Sequence, residues 1–419
     1  MPRYAKPAEG SWTEHYDLDT ADVSYEDSIS PEFFELEREA VFRRSWLFVG
    51  RTDLLPRNGS YFTKEIVVTR SAIVVVRDKE GEIRAFHNIC RHRGNKLVWH
   101  DRPREEVCGN AHQLVCKFHG WQYGLDGACT FVQQESEFFD LDKSNYGLVP
   151  VHCEVWEGFI FVNLEDEPRQ TLREFLGPMV RGLEGYPFDK LTNRWFYRTR
   201  INCNWKIFSD ATQEFYHAPV LHYGQSPPAW SRPAREAGFE ARHYQVDGPH
   251  RLVTTGGIRP WELAPELYRP TEGVTKAGLF GPWESYPLGD LPSGLNPGNA
   301  EIWGNQSFQL WPNLAFLFWT QGFLYVFEYW PLTYDTMDLE ATLYFPAATK
   351  PSERVQQEVT VISNKDFSLQ DINTCEATQQ MLETRVVDVF PLGDQEILCR
   401  HLHQLCVDAV ERYRDEIGR

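Results

Sequence analysis

The chain has 419 residues, with 42 Lys or Arg against 60 Asp or Glu, so its formal net charge is −18 at pH 7. This acidic balance argues against nucleic acid or an anionic lipid surface as the main partner. A hydrophobic fraction of 42% and a charged fraction of 24% are typical of a globular protein. No apolar run approaches the length of a membrane-spanning helix, and residues 1–10 lack the apolar segment of a signal peptide. We therefore expect a cytoplasmic protein without a nucleic-acid or membrane partner.

The cysteine count points to local metal chemistry rather than to disulfides. There are nine cysteines, an odd number, and the chain is much longer than the small folds that disulfides staple. Four of the nine lie between residues 90 and 129, where they alternate with histidines. We interpret three members of this group, His100, Cys108 and His112, as loop residues because they lack a paired spacing.

The N-terminal part is predicted to be an arm followed by a helix. Residues 1–29 are polar and acidic. Ser30 and Pro31 then start a helix, since Ser is a favoured N-cap and Pro a favoured first residue. We expect residues 1–45 to form an arm and a helix that packs on the C-terminal domain.

Short strands dominate the next segment, residues 46–166. The runs at 61–70, 71–78 and 83–90 are rich in β-branched and aromatic residues, and turn-forming residues separate them. The sequence therefore predicts an all-β domain over 46–166.

The remainder, 167–419, is predicted to be an α+β domain. We expect helices over 171–186 and 210–222, a strand over 195–208, and long loops over 225–300. A hairpin is predicted over 314–331, turning near Gln321-Gly322, followed by a strand at 339–347. Helices over 353–382 and 394–416 complete an antiparallel sheet with helices against it.

A first constellation lies in the all-β domain. The segments CRH at 90–92 and CKFHGW at 116–121 each supply one thiolate and one imidazole from a loop between strands. A Rieske [2Fe–2S] cluster needs two Cys on one iron and two His on the other. Structural zinc is the alternative, because Cys₂His₂ also satisfies tetrahedral zinc. Zinc fingers usually pair Cys with Cys and His with His, so the mixed pairs favour the cluster.

A second constellation lies in the α+β domain. His217 and His222 are five residues apart, which places them about 140° apart on an ideal helix, so a distorted helix or a helix end must bring them together. Asp371, on a predicted helix, would supply a carboxylate. Two His and one carboxylate form the triad that binds non-haem Fe(II) and leaves positions open for O₂. Taken alone these residues are more often structural, and Glu376 and Asp366 are alternative carboxylates.

Together these segments resemble the α-subunit of a Rieske non-haem iron oxygenase, or ring-hydroxylating oxygenase. The resemblance runs from about Pro31 to the C-terminal helices, and four segments carry it: PEFFELEREAVFRRSWLFVG, CRHRG with CKFHGWQYGLDG, NWKIFSDATQEFYHAPVLH, and QDINTCEATQQ. It implies a Rieske domain and a helix-grip catalytic domain, in which an antiparallel sheet surrounds a long helix.

The resemblance assigns roles by position. It implies that the cluster ligands are Cys90, His92, Cys116 and His119, and that the iron ligands are His217, His222 and Asp371. Glu214 occupies the place of the family's bridging acid, commonly Asp, which hydrogen-bonds toward a cluster histidine of the neighbouring protomer. That arrangement implies a homotrimer, to which a β-subunit can be added.

The implied function is that of a terminal oxygenase. The sequence has no G-x-G-x-x-G after a strand and no plant-type ferredoxin cysteine run, so a separate reductase or ferredoxin would deliver the electrons. The aromatic residues predicted around the iron favour mono- or dihydroxylation of a hydrophobic aromatic or alicyclic substrate. Oxidative demethylation of a methoxy or quaternary ammonium compound is the alternative. From another class, a non-catalytic lipid-binding and electron-transfer protein would have the cluster without the iron.

Three features depart from the family pattern. The spacer between His92 and Cys116 has 23 residues, which is longer than expected. The family's E-N-F after NWK is replaced by Asp210-Ala211-Thr212, so the amide near the iron is absent. Glu214 has one methylene more than the common Asp, which changes the reach of the bridging acid.

Overall fold

The computed structural model describes residue 7 and residues 10–222, 241–256, 270–278, 285–301 and 303–418. The chain forms two compact units, one of residues 41–175 and one of residues 1–40 with 176–419. The domain boundaries predicted from the sequence, at 45/46 and 166/167, stay a prediction.

The N-terminal arm is ordered by contacts within the second of these units. It contains α1 (Trp12–His15), β1 (Val23–Ser24), α2 (Glu26–Ile29) and α3 (Pro31–Glu37). The backbone N–H groups of Trp12 and Thr13 donate to the Asp394 carboxylate at 3.2 and 2.9 Å. Ser30 caps α3 by accepting from the Phe33 N–H, as predicted. The α-helix ends at Glu37, earlier than expected, and continues as a π-helical turn over Arg38–Phe42.

Residues 41–175 form the predicted all-β unit. Its strands are β2 (Leu47–Arg51), β3 (Ser60–Ile66), β4 (Ser71–Arg77), β5 (Ile83–His87), β6 (Cys108–Asn110), β7 (Leu114–Val115), β8 (Gln122–Tyr123), β9 (Cys129–Phe131), β10 (Pro150–Trp156) and β11 (Phe159–Asn163). Seven of them form an antiparallel sheet in the order β2-β11-β10-β5-β4-β3-β6, and β7-β8-β9 form a second, three-stranded sheet. His100 and His112 lie in loops as expected, but Cys108 lies in β6, where it pairs with Phe62.

The other unit contains the larger sheet and the long helices. After α4 (Leu172–Arg181), which is interrupted at Gly177 (φ 62°), the elements are β12 (Asn193–Ile201), α5 (Trp205–Gln213), α6 (Ala218–Leu221), β13 (Ala241–Asp247), β14 (His250–Thr255), α7 (Pro270–Thr275), β15 (Asn305–Leu310), β16 (Leu314–Trp319), β17 (Leu324–Thr333), β18 (Thr336–Phe345), α8 (Pro351–Leu382), β19 (Val389–Phe390) and α9 (Ile397–Glu416). Strands β12-β18-β17-β16-β15-β14-β13 form one antiparallel sheet. The 32-residue α8 packs against α5 and β12, and α9 packs against α3 and α5. This confirms the α+β fold class.

Three element predictions are wrong in part. The strand expected over 195–208 ends at Ile201, because Asn204 caps α5 by accepting from the Lys206 N–H at 3.0 Å. The helix expected over 210–222 is broken between Gln213 and Ala218. Pro219 lacks the N–H that a continuous helix needs at this position. The loops expected over 225–300 include the strands β13 and β14, and much of that range lies outside the described residues.

Within the described residues, no helix combines the length and the apolar composition that crossing a membrane would require.

Candidate metal centres

The four predicted cluster ligands lie in two similar loops of the all-β unit. Cys90 and His92 follow β5, and Cys116 and His119 lie between β7 and β8. In each loop a glycine four residues after the cysteine donates its N–H to the cysteine carbonyl, Gly94 at 3.1 Å and Gly120 at 3.0 Å. Both glycines have a positive φ, 70° and 71°, which other residues adopt at a cost. The two glycines therefore close the loops that present the ligands.

The loops bring the four side chains together in the expected pairs. The two imidazoles face each other, with 3.2 Å between His92 Nδ1 and His119 Nδ1. The thiols of Cys90 and Cys116 are buried and interact with each other. Burial and the nearby His119 lower the pKa of His92, so its imidazole is neutral, as a metal ligand must be. Two buried thiols and two outer imidazoles are the donor set of a Rieske cluster.

Residues around these loops fix the ligands. Tyr123 OH lies 3.3 Å from Cys90 Sγ and accepts the Arg91 N–H at 3.0 Å. Trp121 is buried and stacks on His92 at 5.0 Å with an interplanar angle of 3°. Phe118, next to His119, is 55% exposed. The two imidazoles that would hold one side of the cluster are therefore flanked by the buried Trp121, which stacks on His92, and by the exposed ring of Phe118.

The three predicted iron ligands converge in the other unit. His217 is the N-cap and His222 the C-cap of α6, so one short helix places both imidazoles. Their Nε2 atoms are 3.2 Å apart, and Asp371 Oδ1 lies 3.4 Å from each Nε2. One ligand atom from each of these three described side chains lies within 4.8 Å of the other two, close enough for all three to hold a single metal ion.

The carboxylate of Asp371 fits a metal better than a purely structural role. Its Oδ1 is buried and lies 3.4 Å from two imidazole nitrogens, without a hydrogen bond of ordinary geometry to either. An unsatisfied buried acceptor is costly unless a cation completes it. Glu376, an alternative from the sequence, accepts instead from the Asn202 N–H and side-chain amide at 2.9 and 3.0 Å. The ligand atoms thus face one point and match the triad typical of non-haem iron.

Each iron-site imidazole has a second partner on its Nδ1 atom. Glu214 Oε1 is hydrogen bonded to His217 Nδ1, and Gln370 Oε1 lies 3.0 Å from His222 Nδ1. Phe367 stacks on His222 with the ring centroids 3.3 Å apart. Such contacts leave Nε2 as the metal-facing nitrogen of both rings. Gln370 and Phe367 were not predicted as site residues, although both lie within four residues of Asp371.

The surroundings of His217 and His222 shift the pKa values of the two imidazoles in opposite directions. Burial lowers the pKa of His222 to about 4. Burial also works against the charge of His217, but the carboxylates of Glu214 and Asp371 outweigh it and raise the pKa of His217 to about 10. The two carboxylates therefore favour a positive charge beside the predicted iron ligand His217, and a bound cation would supply that charge with the imidazole neutral.

A cavity of about 280 Å³ opens beside these ligands. Its described lining combines acidic groups with apolar and aromatic ones and contains no Lys or Arg; it comprises Tyr25, Ile207, Asp210, Ala211, Glu214, His217, Leu221, Asp371, Thr374, Cys375, Thr378, Leu382, Phe390, Leu392, Glu396 and Cys399. Ala211 lies in this wall, where the family pattern led us to expect an amide. Two aromatic residues that the sequence led us to expect in this wall, Phe308 and Phe323, are instead fully buried and are not part of its described lining.

Comparison with known proteins agrees with both centres. Residues 45–148 match the Rieske [2Fe-2S] domain family, and residues 188–412 match the ring hydroxylating alpha subunit (catalytic domain) family. The chain is 37% identical to the glycine betaine monooxygenase oxygenase subunit of Chromohalobacter salexigens over 193 residues, 46% of this chain and 41% of that protein. It is 31% identical to the chloroplastic choline monooxygenase of Beta vulgaris over 201 residues, 46% and 42% of the two chains. These matches span about two fifths of the relatives' length.

Structural comparison extends over nearly the whole chain. A quaternary ammonium Rieske monooxygenase structure superposes with a TM-score of 0.70 at 20% identity, over 93% of this chain and 96% of that one. At this identity the likeness shows the fold. The Rieske match removes the structural-zinc alternative for the first centre. The chain belongs to the family of ring hydroxylating alpha subunits, the Rieske non-haem iron oxygenases, whose cofactors are a [2Fe–2S] cluster and a mononuclear iron.

Proposed function

We propose that this protein is the terminal oxygenase component of a multicomponent system, receiving electrons from a separate reductase or ferredoxin and using O₂ to oxidise a small organic substrate. The observation that carries the proposal is the convergence of His217, His222 and Asp371 on one point beside a cavity. A non-catalytic binding protein would have no use for this triad. A cytoplasmic location and an additional β-subunit remain predictions from the sequence.

In this proposal each centre has a defined set of ligands. The cluster is held by Cys90, His92, Cys116 and His119, and the iron by His217, His222 and Asp371. When bound, the cluster stores and passes single electrons and the iron binds and activates O₂. The chain's own residues orient the imidazoles through Glu214 and Gln370, and they shape the cavity that holds the substrate.

We further propose that the catalytic unit receives its electrons from the Rieske unit of a second copy of this chain, in a homotrimer. Complementary surfaces support this. The edge near His119 carries the exposed Phe118, with Arg93 placed over its ring at 5.3 Å. The cavity lining includes Glu214 and Glu396. A basic and aromatic edge that meets an acidic cavity wall would place His119 near Glu214 of the neighbouring protomer.

For the substrate we propose a small compound with N-methyl groups on a quaternary ammonium. Relatives of this chain are named for glycine betaine and choline, and the described cavity wall contains carboxylates without Lys or Arg, which suits a cation. Hydroxylation of an uncharged aromatic or alicyclic ring is the second candidate, favoured by the apolar part of the same wall, including Ile207, Leu221 and Phe390.

The test is product formation by the iron-loaded full-length protein with a Rieske reductase, NADH and O₂. Choline, glycine betaine and carnitine form one set of substrates, and uncharged cyclic hydrocarbons the other. We expect formaldehyde or a hydroxylated product, with matching O₂ uptake, from the first set. Product from the cyclic set alone would favour ring hydroxylation, and no product from either would contradict the substrate proposal.

Two variants in the same assay test the iron ligands. Asp371→Ala should keep the visible spectrum of the cluster and lose mononuclear iron and product, because two imidazoles alone bind Fe(II) weakly. Glu376→Ala is the matched control, since this carboxylate lies on the same helix but bonds to Asn202. Full turnover by Asp371→Ala would overturn the ligand assignment.

A further inference from the structure

Two tyrosine side chains meet on the face of the large sheet that packs against α8. Tyr197 lies in β12 and Tyr325 in β17, and β18 runs between these strands. In the register of the sheet, Tyr197 pairs with Ala341 and Tyr325 pairs with Leu343. Because Ala341 is small, the two phenols reach across β18, and their hydroxyl groups are hydrogen bonded to each other.

One member of this pair, Tyr325, contacts α8, the helix that carries the proposed iron ligand Asp371. Tyr325 is 2% exposed, and its hydroxyl lies 3.0 Å from Ser368 Oγ. Ser368 precedes Asp371 by three residues on α8, and side chains at this spacing are neighbours on a helix, with about 5–6 Å between their Cβ atoms. The neighbouring Phe367 stacks on the iron-site imidazole of His222.

The other end of the pair approaches the surface. Tyr197 is partly exposed, and the ammonium of Lys365 lies over its ring at 5.3 Å. Burial raises the pKa of both phenols, Tyr325 most strongly, so both stay protonated at physiological pH. A phenol that loses an electron becomes a strong acid, so it loses its proton as well. A second phenol that is hydrogen bonded to the first is well placed to return the electron and the proton together.

We propose that Tyr325 and Tyr197 form a relay that removes oxidising equivalents from the iron centre when no substrate is present to consume them. The proposal rests on the function proposed above, because that function supplies the one-electron oxidant, a species derived from O₂ or H₂O₂ at the iron. The pair lies outside the described lining of the cavity, so it acts on the fate of the oxidant and not on substrate binding.

The relay consists of three steps, and each step transfers one electron and one proton. Tyr325 gives an electron and its phenolic proton to the oxidant, whose oxygen atom takes both. The Tyr325 phenoxyl then takes an electron and a proton from Tyr197 across their shared hydrogen bond, which restores Tyr325. A one-electron reductant from solution, such as ascorbate, finally gives a hydrogen atom to the partly exposed Tyr197 phenoxyl. Without the relay, the oxidant would attack the nearest ligands, including His217 and His222.

The experiment treats iron-loaded, substrate-free protein with H₂O₂ and freezes samples for electron paramagnetic resonance. Tyr325→Phe and Tyr197→Phe remove one hydroxyl each and keep the ring. The matched control is Tyr186→Phe, since Tyr186 is also buried but packs against Phe188 and Phe318. Wild type and Tyr186→Phe should show a tyrosyl radical that ascorbate quenches and that ring-deuterated tyrosine narrows. Iron-free protein should show none.

The two relay variants should differ from the control in two ways. Tyr325→Phe should lose the radical, and Tyr197→Phe should retain one that ascorbate quenches more slowly, because it is confined to the buried Tyr325. In both, peptide mass spectrometry should find severalfold more oxidation of His217 and His222 than in Tyr186→Phe. An unchanged radical in Tyr325→Phe, or equal histidine oxidation in all variants, would overturn the relay.

The same samples separate failure of the relay from failure of the proposed function. If the wild type oxidises added substrate, or its own histidines, but forms no tyrosyl radical, the relay is wrong and the oxygenase proposal stands. If it forms no radical, no oxidised histidine and no product, the iron centre generates no oxidant, and the relay falls together with the proposed function.

Discussion

Glu214 contacts the proposed iron site through a single imidazole. Its Oε1 is hydrogen bonded to His217 Nδ1, and its Oε2 accepts the His217 backbone N–H at 3.2 Å. The sequence placed Glu214 within a helix, one turn before His217. In the structure Glu214 is the C-cap of α5, with an extended backbone at φ −117° and ψ 147°. The contact between Glu214 and His217 is therefore produced by a break between two helices.

This geometry predicts the behaviour of Glu214→Gln. The amide keeps the size of the side chain but removes its charge and one acceptor, so the tautomer of His217 is less firmly held. We expect cluster colour, iron content and oligomeric state to be retained, while reoxidation of the pre-reduced cluster with substrate and O₂ slows by about tenfold or more. Stopped-flow absorption measures this rate.

The matched control for that variant is Glu376→Gln. Glu376 lies on the same helix as Asp371 but outside the described lining of the cavity, and its carboxylate accepts hydrogen bonds from Asn202 instead of contacting an iron-site imidazole. Its cluster should reoxidise at the wild-type rate. If Glu214→Gln also does so, electrons reach the iron by a route that does not involve Glu214.

At the scale of elements, short sequence motifs predicted helix starts and turns, because neighbouring residues determine these features. Ser30-Pro31 predicted the start of α3, and Gln321-Gly322 predicted the turn between β16 and β17. The helix start at Trp205 was missed because aromatic residues continue from β12 into α5, and only the Asn204 cap marks the change. The resemblance to a family, rather than the spacing, brought Asp371 together with histidines about 150 positions earlier.

The same element, α5, is anchored to α3 by a buried ion pair. Lys206 Nζ lies 2.6 Å from Glu37 Oε1, and the Trp205 indole N–H donates to Glu37 Oε2 at 3.0 Å. Both charged side chains are fully buried. Burial works against the charge of Lys206, but Glu37 and Asp27 outweigh it and raise the pKa of Lys206 to about 12. Lys206 therefore stays charged and needs its carboxylate partner.

Removing the Glu37 carboxylate should lower the free energy of unfolding substantially. Glu37→Gln leaves the Lys206 ammonium buried with Asp27 Oδ2 at 4.0 Å as the remaining carboxylate, and the loss of one member of a buried pair costs about 3–5 kcal/mol. Urea unfolding followed by circular dichroism measures the loss. Glu26→Gln, in an exposed pair with Arg385 of the same unit, should cost less than about 1 kcal/mol. Equal effects of the two variants would show that the Glu37–Lys206 pair has no special role.

At the scale of the catalytic unit, His403 joins three distant parts of the chain. Its Nδ1 lies 2.8 Å from Asp27 Oδ2 of the N-terminal arm, and its Nε2 lies 3.1 Å from Asp210 Oδ2 of α5. His403 itself belongs to α9 and is 3% exposed. Tyr25, also of the arm, donates to Asp210 Oδ2 at 3.0 Å and lines the cavity beside the proposed iron ligands. This network was not predicted, since its members are hundreds of residues apart.

The network makes the stability of the unit depend on pH. Burial works against the charge of His403, but Asp27 and Asp210 outweigh it and raise its pKa from 6.5 to about 10. Between these values the folded protein keeps the proton and the unfolded chain releases it. The contribution of His403 is therefore complete below pH 6.5 and is lost as the pH rises toward 10, at no more than about 1.4 kcal/mol per pH unit.

Comparing His403→Gln with the wild type isolates the pH-dependent contribution of His403 to stability. Glutamine can still donate to one carboxylate but carries no charge, so the variant should be less stable at pH 7, and the difference should shrink steadily up to pH 10. Urea unfolding at several pH values provides the measurement, with His15→Gln, an exposed position in α1, as the control that should follow the wild type. A difference that stays constant from pH 7 to pH 10 would mean that His403 is neutral in the folded protein. The arm would then be held by hydrogen bonds without the attraction between an imidazolium and two carboxylates.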